Sequence, residues 1–197
     1  MLRFLPALGV ALITATPLLG ATLTVRVNDS RGRAVEDAVV YASPEGRQLP
    51  LAKKTAVMDQ KNRMFIPHVL AVQTGTAVLF PNNDDVRHHV YSFSPAKTFQ
   101  LPLYKGTPSS PEVFDRAGVA TLGCNIHDQM SAFIVVVDTP YFAKTVNGTA
   151  MLDDVDAGRY TVRVWVPDMR GEPQPRPVSV TAGERLTLTI NTANARP

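Results

Sequence analysis

A chain of 197 residues, 45% hydrophobic and 19% charged, with 16 Pro, 12 Gly and one Cys, falls within the globular range and excludes a disordered or collagen-like polymer. Twenty basic residues against 17 acidic ones leave a net charge of only +3, and no Lys/Arg run exceeds two residues, which speaks against a nucleic-acid partner. The single Cys excludes an internal disulfide, a CxxC redox pair and any multi-thiolate zinc or iron–sulfur site.

At the start of the chain, Arg3 is followed by an uncharged, largely apolar run from Phe4 to Gly20 that ends in the small pair Gly20-Ala21. This reads as a secretory signal peptide over residues 1–21. The rival reading, an uncleaved membrane anchor, is weakened by Pro6 and Pro17 and by the strand-like alternation from Thr22 to Val27, so no membrane span is expected in the mature chain. An exported protein meets oxidising conditions, where a lone thiol is usually buried, paired between chains or metal-bound.

Beyond the leader no stretch of twelve residues holds a helical apolar period. Short runs rich in Val, Ile, Thr, Phe and Tyr recur instead between Gly, Pro, Asn and Asp clusters, which predicts an all-β fold. The predicted strands cover residues 22–27, 38–42, 77–81, 89–93, 98–103, 119–124, 131–137, 160–166, 178–181 and 186–190. Turn chemistry falls between them at Asp29-Ser30-Arg31-Gly32, Gln73-Thr74-Gly75, Asp115-Arg116-Ala117-Gly118, Asp156-Ala157-Gly158 and Thr181-Ala182-Gly183. That many strands exceed the needs of one small sandwich.

The chemistry concentrates in Cys124-Asn125-Ile126-His127-Asp128-Gln129-Met130, a Cys-x2-His-x2-Met loop between two apolar strands. A thiolate, an imidazole and a thioether within seven residues suit a trigonal Cys/His copper with a weak axial sulfur, provided a second imidazole arrives from a neighbouring strand. His88 and His89 stand ready for that at the start of a Val/Tyr/Phe strand, and strand alternation means only one of them can face the site.

Three resemblances organise the rest. The stretch VLFPNNDDVRHHV (78–90), together with GCNIHDQM (123–130), is similar to the cupredoxins, the plastocyanin, pseudoazurin and amicyanin family of type 1 copper proteins, and the short loop looks most like that of amicyanin. The run from Phe65 to Asp138 also resembles bacterial chains labelled methylamine utilisation proteins. The flanking TLTVRVNDSRGRAVEDAVVYASP (22–44), AGRYTVRVW (157–165) and SVTAGERLTLTI (179–190) resemble the two halves of a carboxypeptidase-regulatory-like β-sandwich. These likenesses imply a cupredoxin Greek-key sandwich over residues 55–138, inserted between the parts (22–54 and 139–197) of a second small sandwich or packed edge to edge with them. They further imply one mononuclear type 1 copper held by His88, Cys124, His127 and Met130. Around these ligands, His89 stands where the family commonly has an Asn that ties the ligand loops together, Asn82 belongs to the approach to the first histidine, and the Asn125 amide is a donor to the sulfur. Asp128 and Gln129 replace apolar residues of amicyanin's loop.

Other polar residues have simpler accounts. His68 reads as a surface residue on a strand edge, Asp84-Asp85 as turn caps, Asp153, Asp154 and Asp156 as a loop lacking the glycine and terminal glutamate of a calcium site, and Trp165 as core. Four protein ligands leave a type 1 copper no open position, so the resemblance implies an electron carrier rather than an enzyme. It would be periplasmic, with redox proteins such as a c-type cytochrome or an amine or alcohol dehydrogenase as partners. The alternatives are a copper-binding or delivery protein without an electron-carrier role, and an extracellular β-sandwich interaction module with a structural metal.

Overall fold

The computed structural model describes residues 19–192 apart from 168 and 170. The leader expected over residues 1–21 therefore lies largely outside the described residues, although Ala21 opens the first strand. The described chain is all-β, and its principal sheets stack in four layers with an apolar core at each of the three interfaces.

In the first layer, β1 (Ala21–Asn28) pairs antiparallel with β14 (Thr149–Val155) and parallel with β17 (Arg185–Asn191). The second layer is antiparallel throughout, in the order β13 (Phe142–Lys144), β2 (Val39–Pro44), β15 (Gly158–Trp165), β16 (Arg176–Val180). Alternation along β1 turns Leu23, Val25 and Val27 inward, where they share a core with Val40, Ala42, Val162 and Val164 of the second layer.

The third layer runs β6 (Val69–Gln73), β12 (Ser131–Val137), β11 (Gly118–Gly123), β8 (His88–Ser94), β9 (Lys97–Tyr104). The fourth is β10 (Glu112–Phe114), β7 (Thr76–Leu79), β3 (Thr55–Val57). Val78, Phe80, Phe99, Phe114, Leu122 and Ile134 fill the space between them. A tight hairpin, β4 (Asp59–Lys61) and β5 (Met64–Ile66), turns at Asn62-Arg63 with φ of 55° and 59°. Two successive left-handed residues are what a type I′ turn requires.

The middle interface joins the second layer to the third. Val39, Tyr41, Phe142 and Trp165 on the outer face of the second layer meet Val69, Phe133, Val135 and Val137 on the outer face of the third, with the Phe133 and Trp165 rings 5.2 Å apart. Strand β12 is thus covered on both sides, which is why AFIVVV is apolar without alternation. The covering sheet stops short of β8, leaving the outer face of that strand uncapped, with Phe93 66% exposed. Among the described residues no helix is long and apolar enough to cross a membrane.

Each of the ten predicted strands has its counterpart within a few residues, but β3, β4, β5, β6, β10, β13 and β14 were not expected. Five of these, β3, β4, β5, β10 and β13, are three-residue pieces, too short to show a period. In β14 the reason is a bulge: the pairing with β1 slips between Ala21 and Leu23, Asp154 takes φ +54°, and the apolar alternation of Ala150 and Leu152 is lost. Strand β6 runs VLAVQ without alternation because both of its faces also meet cover.

Candidate metal centre

The site forms where β8 and β11 lie side by side, with Gly123 opposite Tyr91. Period-2 alternation sets the directions. In β11, Ala120 and Leu122 point into the core, so the next inward position is Cys124, 4% exposed. In β8 the inward set is His88, Val90 and Ser92, and His88 is fully buried. Two turns then carry the chain from Cys124 to β12, closed by a hydrogen bond of 2.9 Å from the Met130 amide to the His127 carbonyl. This places His127, half-buried, over the same end of the sheet and tucks Met130 inside at 2% exposure.

His88 Nδ1 and His127 Nδ1 each lie 4.0 Å from Cys124 Sγ, and all three donor atoms fall within 4.8 Å of one another. The imidazole planes cross at 62° with centroids 5.0 Å apart. For a trigonal ion with bonds of about 2.3 Å to sulfur and about 2.05 Å to nitrogen, the sulfur–nitrogen separation is about 3.8 Å. The gap therefore fits one first-row metal ion, and one thiolate with two imidazoles suits copper or zinc. Among the described residues this is the single cluster of three such donors.

The first imidazole is held from behind. His88 Nε2 donates to Asp84 Oδ2 at 2.8 Å, which leaves the Nδ1 lone pair facing the sulfur. Asp84 itself accepts from the Arg63 amide at 2.7 Å and, through Oδ1, from the Asp85 amide at 2.9 Å. These bonds, the Arg63 amide first and His88 next, hold its carboxyl well below the usual carboxylate range. Asp84 caps its turn, as expected from the sequence, but capping is only part of its role, and the contact with His88 goes beyond that expectation. The one local signal for it is the i, i+4 spacing of Asp84 and His88 within a single turn.

Asn82 anchors the same loop. It is 2% exposed, its Nδ2 donates to the carbonyls of Val86 and Tyr104 at 3.0 and 2.8 Å, and its Oδ1 accepts the Asp84 amide at 3.0 Å. Nearby, the Tyr104 hydroxyl donates to the Phe80 carbonyl at 2.6 Å and accepts from Gln60 Nε2; burial pushes its pKa up to about 12.

Two of the expected supporting residues act differently. His89 faces outward, its ring 5.4 Å from that of Tyr91, and makes no bond between the ligand loops; alternation along β8 sends it away from the site. Asn125 is exposed in the first turn of the loop, and among the described residues its amide forms no hydrogen bond with Cys124 Sγ. His68 stands apart as well, exposed, with Nδ1 3.2 Å from the Ser131 carbonyl and its ring edge-on to Phe133.

No protein-family model matches the chain, and no curated protein matches it. Solved structures do. A purple cupredoxin from Nitrosopumilus maritimus is 22% identical, with the match covering 42% of this chain and 99% of that one at a TM-score of 0.37. A reduced variant of amicyanin is also 22% identical, covering 49% of this chain and 99% of its own at a TM-score of 0.38. A copper-containing nitrite reductase from Thermus scotoductus SA-01, 22% identical at a TM-score of 0.40, is matched over 49% of this chain but only 26% of its own length.

Proposed function

We propose that this chain is a type 1 copper protein of the cupredoxin kind that carries single electrons between redox partners and catalyses no reaction of its own. One observation carries the reading: a thiol and two imidazoles, from the start of one strand and a loop at the end of its neighbour, converge within 4.8 Å, with Cys124 and His88 both buried. Cys124, His88 and His127 would hold the metal, with the buried thioether of Met130 as a fourth donor. Bound copper supplies a one-electron couple between its 2+ and 1+ states.

What the chain contributes is support for the donors. Cys124 and Met130 are set by the strands on either side of their loop, and His88 by Asp84, so these three would shift little when a bound ion changes oxidation state. His127 is the half-exposed member of the set and offers the shortest way out for an electron. Its neighbours Asp128 and Gln129 are exposed and polar, and Ile126 is 46% exposed, giving a mixed rim suited to brief contacts with a c-type cytochrome or an amine or alcohol dehydrogenase. A periplasmic location follows from the leader-like residues 1–21, and the first two layers form the carboxypeptidase-regulatory-like sandwich of this reading.

Adding copper(II) to the purified protein should produce an intense visible thiolate-to-copper band that bleaches reversibly with reductant. Cys124→Ser should abolish it, His88→Ala should abolish or profoundly shift it, and His89→Ala should leave it nearly unchanged. A colourless copper-loaded protein, or a band that survives Cys124→Ser, refutes the proposal.

A further inference from the structure

We propose that Asp84 is a positioning residue of the metal centre: it fixes the tautomer and orientation of His88 and, as a buried anion, favours the higher oxidation state of the bound ion. The inference rests on the copper reading for its redox part and on geometry alone for the rest.

The arrangement is made by protein groups alone. Asp84 Oδ2 receives both His88 Nε2–H at 2.8 Å and the Arg63 amide at 2.7 Å, and Oδ1 receives the Asp85 amide at 2.9 Å. Three N–H donors on two oxygens define an ionised carboxylate, and its side chain is only 8% exposed while that of His88 is fully buried. The Arg63 amide is delivered by the β4–β5 turn, whose left-handed pair aims it at the ligand loop. That hairpin is tied to the same loop by Asn83 Nδ2 to Asp59 Oδ1 at 2.9 Å and by the Asn83 amide to the Gln60 carbonyl at 3.0 Å. The β4–β5 hairpin is thus a buttress: it holds Asp84, which holds His88, which presents Nδ1 to the sulfur. His127 has no carboxylate behind it among the described hydrogen bonds, so the two imidazoles are unequal, one locked and one free to adjust.

The charge has a sign. With the Cys124 thiolate, Asp84 brings two negative charges to the site, which balance a 2+ ion and leave a 1+ ion overcompensated. Removing the carboxylate charge therefore weakens binding of copper(II) more than of copper(I). A tenfold difference raises the reduction potential by about 59 mV.

The test uses the full-length protein with D84N, which keeps the shape and drops the charge, and D84A, which drops the contact. D84N should keep the charge-transfer band while its potential rises by about 59 mV or more. D84A should bind copper(II) and zinc(II) about 10–100-fold more weakly, the usual loss when a carboxylate behind a ligating imidazole is removed. In the metal-free wild type, nitrogen chemical shifts of His88 should report the Nε2–H tautomer alone, with a slowly exchanging proton, and D84A should show a mixture. If the wild type takes up copper without colour, the copper reading fails, and zinc affinity with the His88 tautomer still decides the role of Asp84. Should the wild type be coloured while D84N keeps the same potential and D84A the same affinities, the inference is overturned. An Nδ1–H tautomer in the metal-free wild type overturns it even if neither variant folds.

Discussion

Gly123 lies one residue before the thiolate and directly across from Tyr91, and its lack of a side chain is used. A Cβ there would come 2.7 Å from Tyr91 Cζ and Oη and 3.1 Å from Cε2, whereas comfortable carbon contacts begin at about 3.5 Å. The backbone at Gly123 is extended, so Gly123→Ala is free of conformational strain and by itself stabilises the protein by about 0.4–1 kcal/mol through the unfolded state. Against this, the Tyr91 ring must withdraw by about 0.8 Å or more. It stacks at 5.4 Å on His89 and at 5.2 Å on Phe93, and each aromatic pair is worth about 0.5–1.5 kcal/mol. A gap of that size forfeits about a quarter to a half of each contact, so the loss over the two stacks roughly offsets the backbone gain and G123A should lie within about 1 kcal/mol of wild type. In a Y91A background the clash is gone and only the backbone gain remains, so the same substitution should be more favourable there by about 1 kcal/mol. The assay is urea unfolding of the four metal-free proteins of this double-mutant cycle, read as midpoints at constant slope. Cys124 points to the other face, so the copper spectrum of G123A should persist. If G123A has the same effect in both backgrounds to within about 0.5 kcal/mol, Tyr91 and Gly123 are not coupled and the packing account is wrong.

Two further outcomes follow from polar groups outside the ligand set. Gln60 is fully buried with Oε1 unpaired, and the carbonyls its Nε2 reaches are also served by the Tyr104 hydroxyl and by the Gln60 amide. Gln60→Leu relieves an orphaned acceptor that costs about 1–3 kcal/mol and gives up a similar amount of hydrogen bonding, so it should be within about 1 kcal/mol of wild type in denaturant melts; a loss above about 2 kcal/mol contradicts this. With pH, Asp29, Asp84 and Glu184 are all lowered, chiefly by the amides of Arg33, Arg63 and Thr181, so the stability they contribute is complete above their unfolded values near ~4 and is lost as pH falls below that. Tyr104 is raised by burial from 10.0 to about 12, so the native state holds its proton longer than the unfolded chain, and stability falls as pH rises from 10 to about 12. Metal-free protein should therefore show a plateau in unfolding free energy between these limbs, and Tyr104→Phe should shallow the alkaline one.

What could be read from the sequence is what local periodicity encodes. The ligand strands β8, β11 and β12 are long, β-branched and bounded by turn residues, and Cys-x2-His-x2-Met is chemistry within one loop, so Cys124, His127 and Met130 could be named without a structure. The assignment of His88 over its neighbour needed a face, and a face is set by register, which becomes visible only when β8 is paired. Asp84 was out of reach for a different reason. A turn Asp with amides near it in sequence is already explained, and nothing local says that β4 and β5, two three-residue strands some twenty residues upstream, come back to fix its other oxygen.

The stacking of the layers is likewise set by contacts remote in sequence, and it bears on the site. The run AFIVVV announces a strand buried on both faces but not what buries it. Here the cover is the second layer, whose Tyr41, Phe142 and Trp165 lie on the β6–β12 half of the third layer and leave the β8 half open. One sheet is thereby split in function along its width. Its covered half lies between two cores from Ala132 to Val137 of β12. Its open half carries His89, Tyr91 and Phe93 on the side opposite His88. The second layer thus backs the strand that follows the loop bearing three of the four proposed ligands, without covering the strand that brings the fourth.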